Sequence, residues 1–339
     1  MFDWKWNLSD INQDKPLKVF TIFSCGGGSS MGYKRAGFEV IGNCELDPRI
    51  NKVYVKNHHP KYNFLMDARE FAGLDKYPDE LMNLDILDGS PPCSTFSTSG
   101  KREKAWGVMK KFAEGQKLQR LDDLFFVYLE IVRKLRPKVS IAENVTGLVK
   151  GNAKGYVSEI IKTYRELGYE VQIFKLNGAF MNVPQKRERV FFIANRCGFP
   201  KLKLNFNYRP ILFGDVRSEH GSTSGINPGT ETYKLISQIQ IQDHDLSDVC
   251  KRLKGKESHF SSKINHDNEV AYTLDAGSLM LRYCDKLALS KQDIINISSF
   301  PQDYDFLDQS PQFICGMSVP PNMMANIASE IYKQWFAKG

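Results

Sequence analysis

The sequence predicts an α/β protein, a doubly wound sheet followed by a second, smaller domain. Three observations carry this expectation. Strand-length apolar runs alternate with helical segments from the start to about residue 200. Turns rich in glycine or proline close several of those runs. Beyond Pro200 the rhythm stops and only shorter pieces follow. Strict alternation implies helices on both faces of a mostly parallel sheet, with ligands taken beyond the carboxyl ends of its strands.

Residues 18–24 (KVFTIFS) read as a buried strand, and CGGGSSMG follows as a tight turn into a helix. Residues 38–44 form a second strand that ends at Glu45. Residues 84–87 are a third, closed by Gly89-Ser90-Pro91-Pro92. Residues 122–135 have apolar side chains at helical spacing. Asp122 and Asp123 stand near the start of that segment, and Arg133, Lys134 and Arg136 near its end, as the helix dipole favours. Residues 139–142 read as a strand, 155–167 as a helix, and 171–176 and 190–194 as two further strands. Residues 201–275 hold the flexible stretch GSTSGINPG and a basic cluster at 251–256, and their ten basic and ten acidic residues cancel.

Composition excludes several classes. With 42% hydrophobic and 25% charged residues among 339, the chain is an ordinary globular sequence able to bury a full core. No apolar run is long enough to span a bilayer. The segment MFDWKWNLSDINQDKP lacks the apolar core and cleavage site of a signal peptide, so a cytoplasmic protein is expected. The seven cysteines are scattered without a C-x-x-C pair or zinc spacing, so neither a disulfide framework nor a metal is expected. Of the net charge of +7, residues 101–120 supply +5, with seven basic and two acidic side chains. Such a run is most often a solvated face. Its place beside Cys93 makes it a candidate for binding a phosphate-bearing partner.

Four segments carry candidate chemistry. Gly26, Gly27, Gly28 and Gly32 follow a strand and open a helix, which lets backbone approach a ligand, and Glu45 ends the next strand. Alone this pattern fits any dinucleotide or adenosyl cofactor. Cys93 lies in GSPPCSTFS, where two prolines fix the approach of the chain and suit an exposed, directed nucleophile. Glu143 opens ENV at another strand end. In QKRER, strand alternation would set Gln185, Arg187 and Arg189 on one side, within reach of Cys93 and Glu143.

Taken in order, these segments resemble the cytosine-5 DNA methyltransferase family, of the bacterial or phage restriction-modification type. FSCGGGSSMGYKRAGF is similar to its cofactor loop, and CELDP to the segment whose acid binds the cofactor ribose. Asp67 in LMDARE matches the acid that binds the adenine amine. GSPPCSTFS resembles the catalytic cysteine loop, ENV and QKRER the other active-site motifs, and INISSFPQDYDF and GMSVPPNMMANIASEI the last two. The chain departs from the family at Cys25, where glycine is usual, at Ser94 for glutamine and at Met317 for asparagine.

The resemblance implies a Rossmann-like, S-adenosylmethionine-dependent methyltransferase fold. Residues 1–200 plus 313–339 would form the catalytic domain, and 201–312 the target-recognition domain. S-adenosylmethionine, leaving as S-adenosylhomocysteine, would be held by Phe23, Gly26, Gly27, Gly28, Glu45, Asp67, Pro92, Leu124 and Ser318. Cys93 would attack cytosine carbon 6 while Glu143 holds ring nitrogen N3 and the exocyclic amine. Arg189 would donate to the base carbonyl, and Arg187 would orient Glu143 or hold a phosphate. The substrate is expected to be double-stranded DNA with the target base flipped out. Lys101, Arg102, Lys110, Lys111, Gln185, Lys251, Arg252, Lys254 and Lys256 would contact it. A monomer, with a cognate restriction endonuclease encoded nearby and no membrane partner, completes the expectation. A transfer-RNA methyltransferase of similar fold is the alternative, but its C-F-T signature is absent, because Cys284 is followed by Asp285-Lys286. A nicotinamide oxidoreductase leaves PPC, ENV and QKRER unexplained, and a dead DNA-binding regulator would not need Cys93, Glu143 and Arg189.

Overall fold

The computed structural model describes residues 2–92, 124–149, 154–255 and 262–337. Cys93, Ser94, the basic run 101–120 with Lys101, Arg102, Lys110 and Lys111, and Lys256 lie outside them. The chain forms two compact units.

One unit comprises Ile11–Leu176, Glu188–Asn205 and Ile327–Gly339. Its elements are, in chain order, β1 (Lys15–Ile22), α1 (Gly28–Arg35), β2 (Phe38–Glu45), α2 (Pro48–His58), β3 (Tyr62–Leu65), α3 (Ala68–Gly73), β4 (Ile86–Gly89), α4 (Leu124–Leu135), β5 (Val139–Val145), α5 (Lys154–Glu166), β6 (Glu170–Asn177) and β7 (Glu188–Asn195). The strands make one seven-stranded sheet in the order β3-β2-β1-β4-β5-β7-β6. The pairs β2–β3, β1–β2, β1–β4 and β4–β5 are parallel, whereas β7 runs antiparallel to β5. The chain winds outward from β1 to β3 and restarts at β4, so the switch in direction falls between β1 and β4, where an open sheet takes its ligand.

Local chemistry sets the ends of these elements. Asp47 caps α2 by accepting from Arg49 N, with Pro48 in the first turn, and Asp67 caps α3 by accepting from Arg69 N. The apolar face of α4 (Phe125, Tyr128, Leu129, Val132) is buried against the sheet core around Phe20, Leu87 and Phe192. Gly89 makes this approach possible, because a Cβ there would lie 2.5 Å from the Tyr128 ring. Tyr128 then sets its hydroxyl 2.8 Å from Leu87 O and 2.9 Å from Ile141 O, tying α4 to both β4 and β5.

The other unit comprises Met1–Asp10, Asn177–Arg187 and Phe206–Asn326. It holds α6 (Phe213–Val216), α7 (Glu231–Ser237), α8 (Leu246–Lys254), the two-residue pair β8 (Ile264–Asn265) and β9 (Leu281–Arg282), α9 (Lys291–Ile297) and α10 (Pro311–Met317). Its small core gathers Leu235, Ile236, Leu246, Val249, Ile264 and Leu281. A buried ion pair, Arg282 to Asp293 at 3.2 Å, organises the connections around it. The final helix, α11 (Pro321–Ile331), includes residues of both sets. Among the described residues no helix is long and apolar enough to cross a membrane.

Candidate active site

Of the expected cofactor residues, Phe23, Gly26, Gly27, Gly28, Glu45 and Asp67 stand at or just past the carboxyl ends of β1, β2 and β3. Past β1 the backbone turns sharply, with Phe23 at φ 57°, Cys25 at φ 45° and Gly27 at φ 79°. A positive φ at Cys25 explains why glycine is the easier residue there. The turn is held from β2, because Cys25 N donates to Glu45 Oε2 at 2.8 Å. Glu45 Oε1 accepts from Leu46 N at 2.9 Å and Asp47 N at 3.1 Å. Burial pushes the Glu45 carboxyl up, and these three backbone donors oppose that. Asp67, at the end of β3, accepts from Arg69 N at 2.7 Å. Gly27 packs on the buried His58 ring, which stacks on Tyr54 at 4.3 Å, and burial drives the imidazole far toward its neutral form. Pro92 is partly exposed, and Leu124 is buried at the start of α4.

Two carboxylates at neighbouring strand ends, beside an open glycine turn, suit a ligand that presents hydroxyl and amine donors. That donor set fits an adenosyl group. Ser318, in the other unit, is buried, and its hydroxyl has no hydrogen-bond partner among the described residues. Met317 beside it is exposed. No group of three or more His, Cys, Asp or Glu side chains among the described residues could hold a metal.

Of the expected catalytic side chains, Glu143 comes from β5 and Arg189 from β7. In the antiparallel register Glu143 faces Phe191 and Val145 faces Arg189, so Glu143 and Arg189 are diagonal neighbours on one face. Arg189 Nε lies 2.8 Å from Glu143 Oε1, and both side chains are largely buried. The next residue, Asn144, donates from Nδ2 to Pro91 O at 3.1 Å, which fixes the backbone two residues before Cys93 in the sequence.

Three expectations need correction. Arg187 does not orient Glu143, since Arg189 does. Arg187 is 2% exposed and donates to Leu274 O at 2.9 Å, Gly316 O at 2.8 Å and Ser318 O at 2.9 Å. Gln185 is not open to DNA, because it is 1% exposed, donates to Ile297 O and accepts from Leu274 N. The assumed alternation from Gln185 to Arg189 fails because β7 begins at Glu188. Lys251, Arg252 and Lys254 are exposed, but Arg252 donates to Asp243 Oδ2 at 2.7 Å and Lys254 pairs with Glu231. The adjacent histidines His58-His59 suggest a polar surface turn from sequence, yet His58 is buried, and Asp88 carries no spacing signal at all.

A sequence profile of the family described as C-5 cytosine-specific DNA methylase matches residues 17–333. The Type II methyltransferase M.NgoPII of Neisseria gonorrhoeae is 31% identical over 351 residues, covering 94% of this chain and 96% of that protein. M.FnuDI of Fusobacterium nucleatum, another Type II methyltransferase, is 35% identical over 196 residues, 57% of this chain and 51% of that protein. The match thus spans about half the length of that relative. Among solved structures, a variant of Spodoptera frugiperda DNMT2 superposes with a TM-score of 0.65 at 16% identity, over 93% of this chain and 99% of that one. A prophage-encoded DNA modification methyltransferase candidate of E. coli gives 0.66 at 18% identity, over 94% and 99%. At these identities the structural likeness bears on the fold.

Proposed function

Because the chain belongs to the C-5 cytosine-specific DNA methylase family, and so is a DNA (cytosine-5) methyltransferase, we propose that Cys93, Glu143 and Arg189 carry its chemistry on a cytosine flipped out of duplex DNA. The observation that carries this assignment is the joint placement of Glu143 and Asn144. One is paired with Arg189, and the next holds Pro91, two residues before Cys93.

The Cys93 thiolate attacks carbon 6, and the C5–C6 π pair moves onto carbon 5. Glu143 holds or protonates N3 and accepts from the exocyclic amine, which lowers the cost of that attack. Arg189 keeps the Glu143 carboxylate fixed and offers its remaining donors to the base carbonyl. S-adenosylmethionine, when bound, would supply the electrophilic methyl group to carbon 5, its S–CH3 bond breaking to leave S-adenosylhomocysteine. Loss of the carbon-5 proton to a base then re-forms the double bond and expels the Cys93 thiolate. Glu45 and Asp67 would hold the ribose and adenine of the cofactor, with Phe23, Gly26, Gly27, Gly28, Pro92 and Leu124 around them.

Residues 1–200 plus 313–339 are proposed as the catalytic domain and 201–312 as the reader of flanking bases. The 101–120 run would clamp phosphates while the base is extruded. We assign the protein to a cytoplasmic restriction-modification system, acting as a monomer with a cognate endonuclease encoded nearby. Incubation of methyl-labelled S-adenosylmethionine with duplex DNA, transfer RNA or neither tests the reading. Label in duplex DNA alone is expected, and label in transfer RNA alone would overturn it.

A further inference from the structure

A buried polar row crosses the sheet one step behind the ligand edge. Asn43 on β2, Thr21 on β1 and Asp88 on β4 stand in register, so their side chains share one face. All three are buried. Helices α1 and α2 roof them. Ser30 Oγ lies 3.4 Å from Thr21 Oγ1 and 2.8 Å from the Tyr54 hydroxyl, and Asn43 Nδ2 donates to Asn51 Oδ1 at 3.1 Å. Asp88 is the ionisable member. Tyr33 donates its hydroxyl to Asp88 Oδ1 at 3.0 Å, and Ser29 hydrogen-bonds the same carboxyl. Both partners belong to α1, the helix that the Gly26–Gly28 turn opens. Asp88 itself lies five residues before Cys93.

We propose that Asp88 is a positioning residue for methyl transfer, whose buried carboxyl locks α1 and its glycine turn onto the strand that leads into Cys93. This rests on the function proposed above. A protonated carboxyl matches the row. Oδ1 accepts from Tyr33 while the acid O–H donates to the Ser29 hydroxyl, and no charge is buried. An ionised carboxyl would accept from both hydroxyls but would face no cation among the groups that shift it. The ionisable groups around it are Tyr33 on α1, Tyr54 on α2, Tyr128 on α4 and Glu143 on β5. These are three phenols and a carboxylate, and Thr21 on β1 adds no charge. Burial, aided by Glu143 and opposed by Tyr33 and Ser29, pushes the Asp88 carboxyl up to about 7.

The sign follows from this upward displacement. The folded chain holds a proton that the unfolded chain releases near pH 4, so stability falls as pH rises from about 4 to about 7 and levels off above. With the Asp88 carboxyl pushed up to about 7, the grip on the glycine turn would change with its charge near that pH.

The test compares wild type, Asp88→Asn and Asp88→Ala from pH 5 to 8. It reads melting temperature without ligand, calorimetric affinity for S-adenosylhomocysteine, and KM against kcat for S-adenosylmethionine. Asn reproduces the protonated carboxyl, accepting from Tyr33 and donating to Ser29. Asp88→Asn should reduce the loss of melting temperature between pH 5 and 7 and abolish the wild-type affinity transition near pH 7. Asp88→Ala should weaken the ligand roughly tenfold at pH 6, about one buried hydrogen bond's worth, raising KM more than it lowers kcat. If Asp88→Asn retains the wild-type pH dependence in both readouts, or if Asp88→Ala lowers melting temperature without moving affinity, the proposal is overturned. Failure of wild type to bind S-adenosylhomocysteine would count against the proposed function, while the ligand-free melting curves still decide the protonation of Asp88.

Discussion

Arg189 Nε sits 2.8 Å from Glu143 Oε1, a contact between diagonal neighbours of the antiparallel β5–β7 pair. This register makes the arginine a fixture of the carboxylate and gives Glu143 one orientation toward the strand ends. Glu143→Gln should lower the single-turnover rate by on the order of 10²- to 10⁴-fold while weakening DNA binding far less. Arg189→Ala leaves a largely buried carboxylate without its cation and should cost about 2–4 kcal/mol of stability as well as activity. Rapid-quench kinetics and denaturant melts check both. A loss of less than about tenfold in Glu143→Gln would make that residue structural.

Gly27 should not tolerate a side chain. Its φ is +79°, and an added Cβ would fall 2.1 Å from His58 Nε2. Gly27→Ala should lose about 1–2 kcal/mol to the left-handed backbone and about 1–3 kcal/mol more to crowding. Affinity for S-adenosylhomocysteine should drop with it. Shrinking the obstacle in Gly27→Ala/His58→Ala should recover part of the loss, and the absence of any recovery would show that crowding by His58 is not the cause.

Two basic segments should behave differently. Lys101, Arg102, Lys110 and Lys111 replaced by Ser should weaken DNA binding and flatten its salt dependence by roughly 0.9 in log–log slope per lost phosphate contact. Arg252 already donates to the buried Asp243 and to Gln238 O. Arg252→Ala should therefore cost about 1–3 kcal/mol of stability and leave the slope nearly unaltered. Equal slopes for wild type and the four-residue variant would return residues 101–120 to a solvated face.

Much of the fold was legible because β1, β2, β4, β5 and β7 are apolar runs flanked by turn residues. β3 was not, since its four residues alternate between half-buried and exposed and give no apolar run. The site was legible as residue types at strand ends, which is where Glu45, Asp67, Glu143 and Arg189 stand. Their partners were not, because partnership depends on register. Nothing in the sequence says that β7 runs antiparallel to β5, and only that register pairs Glu143 with Arg189 rather than Arg187. Gln185 and Arg187 were misread by extending a strand's two-residue period into a segment where the chain is still turning. Asp88 was invisible because its significance comes from Thr21 and Tyr33, which are distant in sequence.

Specificity should travel with the segment that lacks catalytic motifs. Bases are told apart by side chains at groove edges, whereas phosphate contacts only position the protein. Replacing residues 201–275 with the matching segment of a related enzyme should transfer the methylated sequence, read by bisulfite sequencing. An active chimera that keeps the original sites would place recognition elsewhere, with residues 101–120 the first candidate.

The central claim is a covalent bond between Cys93 and carbon 6 of the target cytosine. A duplex carrying 5-fluorocytosine at the target tests it directly, because fluorine cannot leave as a proton does and the adduct persists. With S-adenosylmethionine present, wild type should form a complex that survives denaturing electrophoresis, and Cys93→Ala should form none while still binding DNA. Either no trapped complex with a wild type that methylates the unmodified duplex, or trapping by Cys93→Ala, would contradict the account.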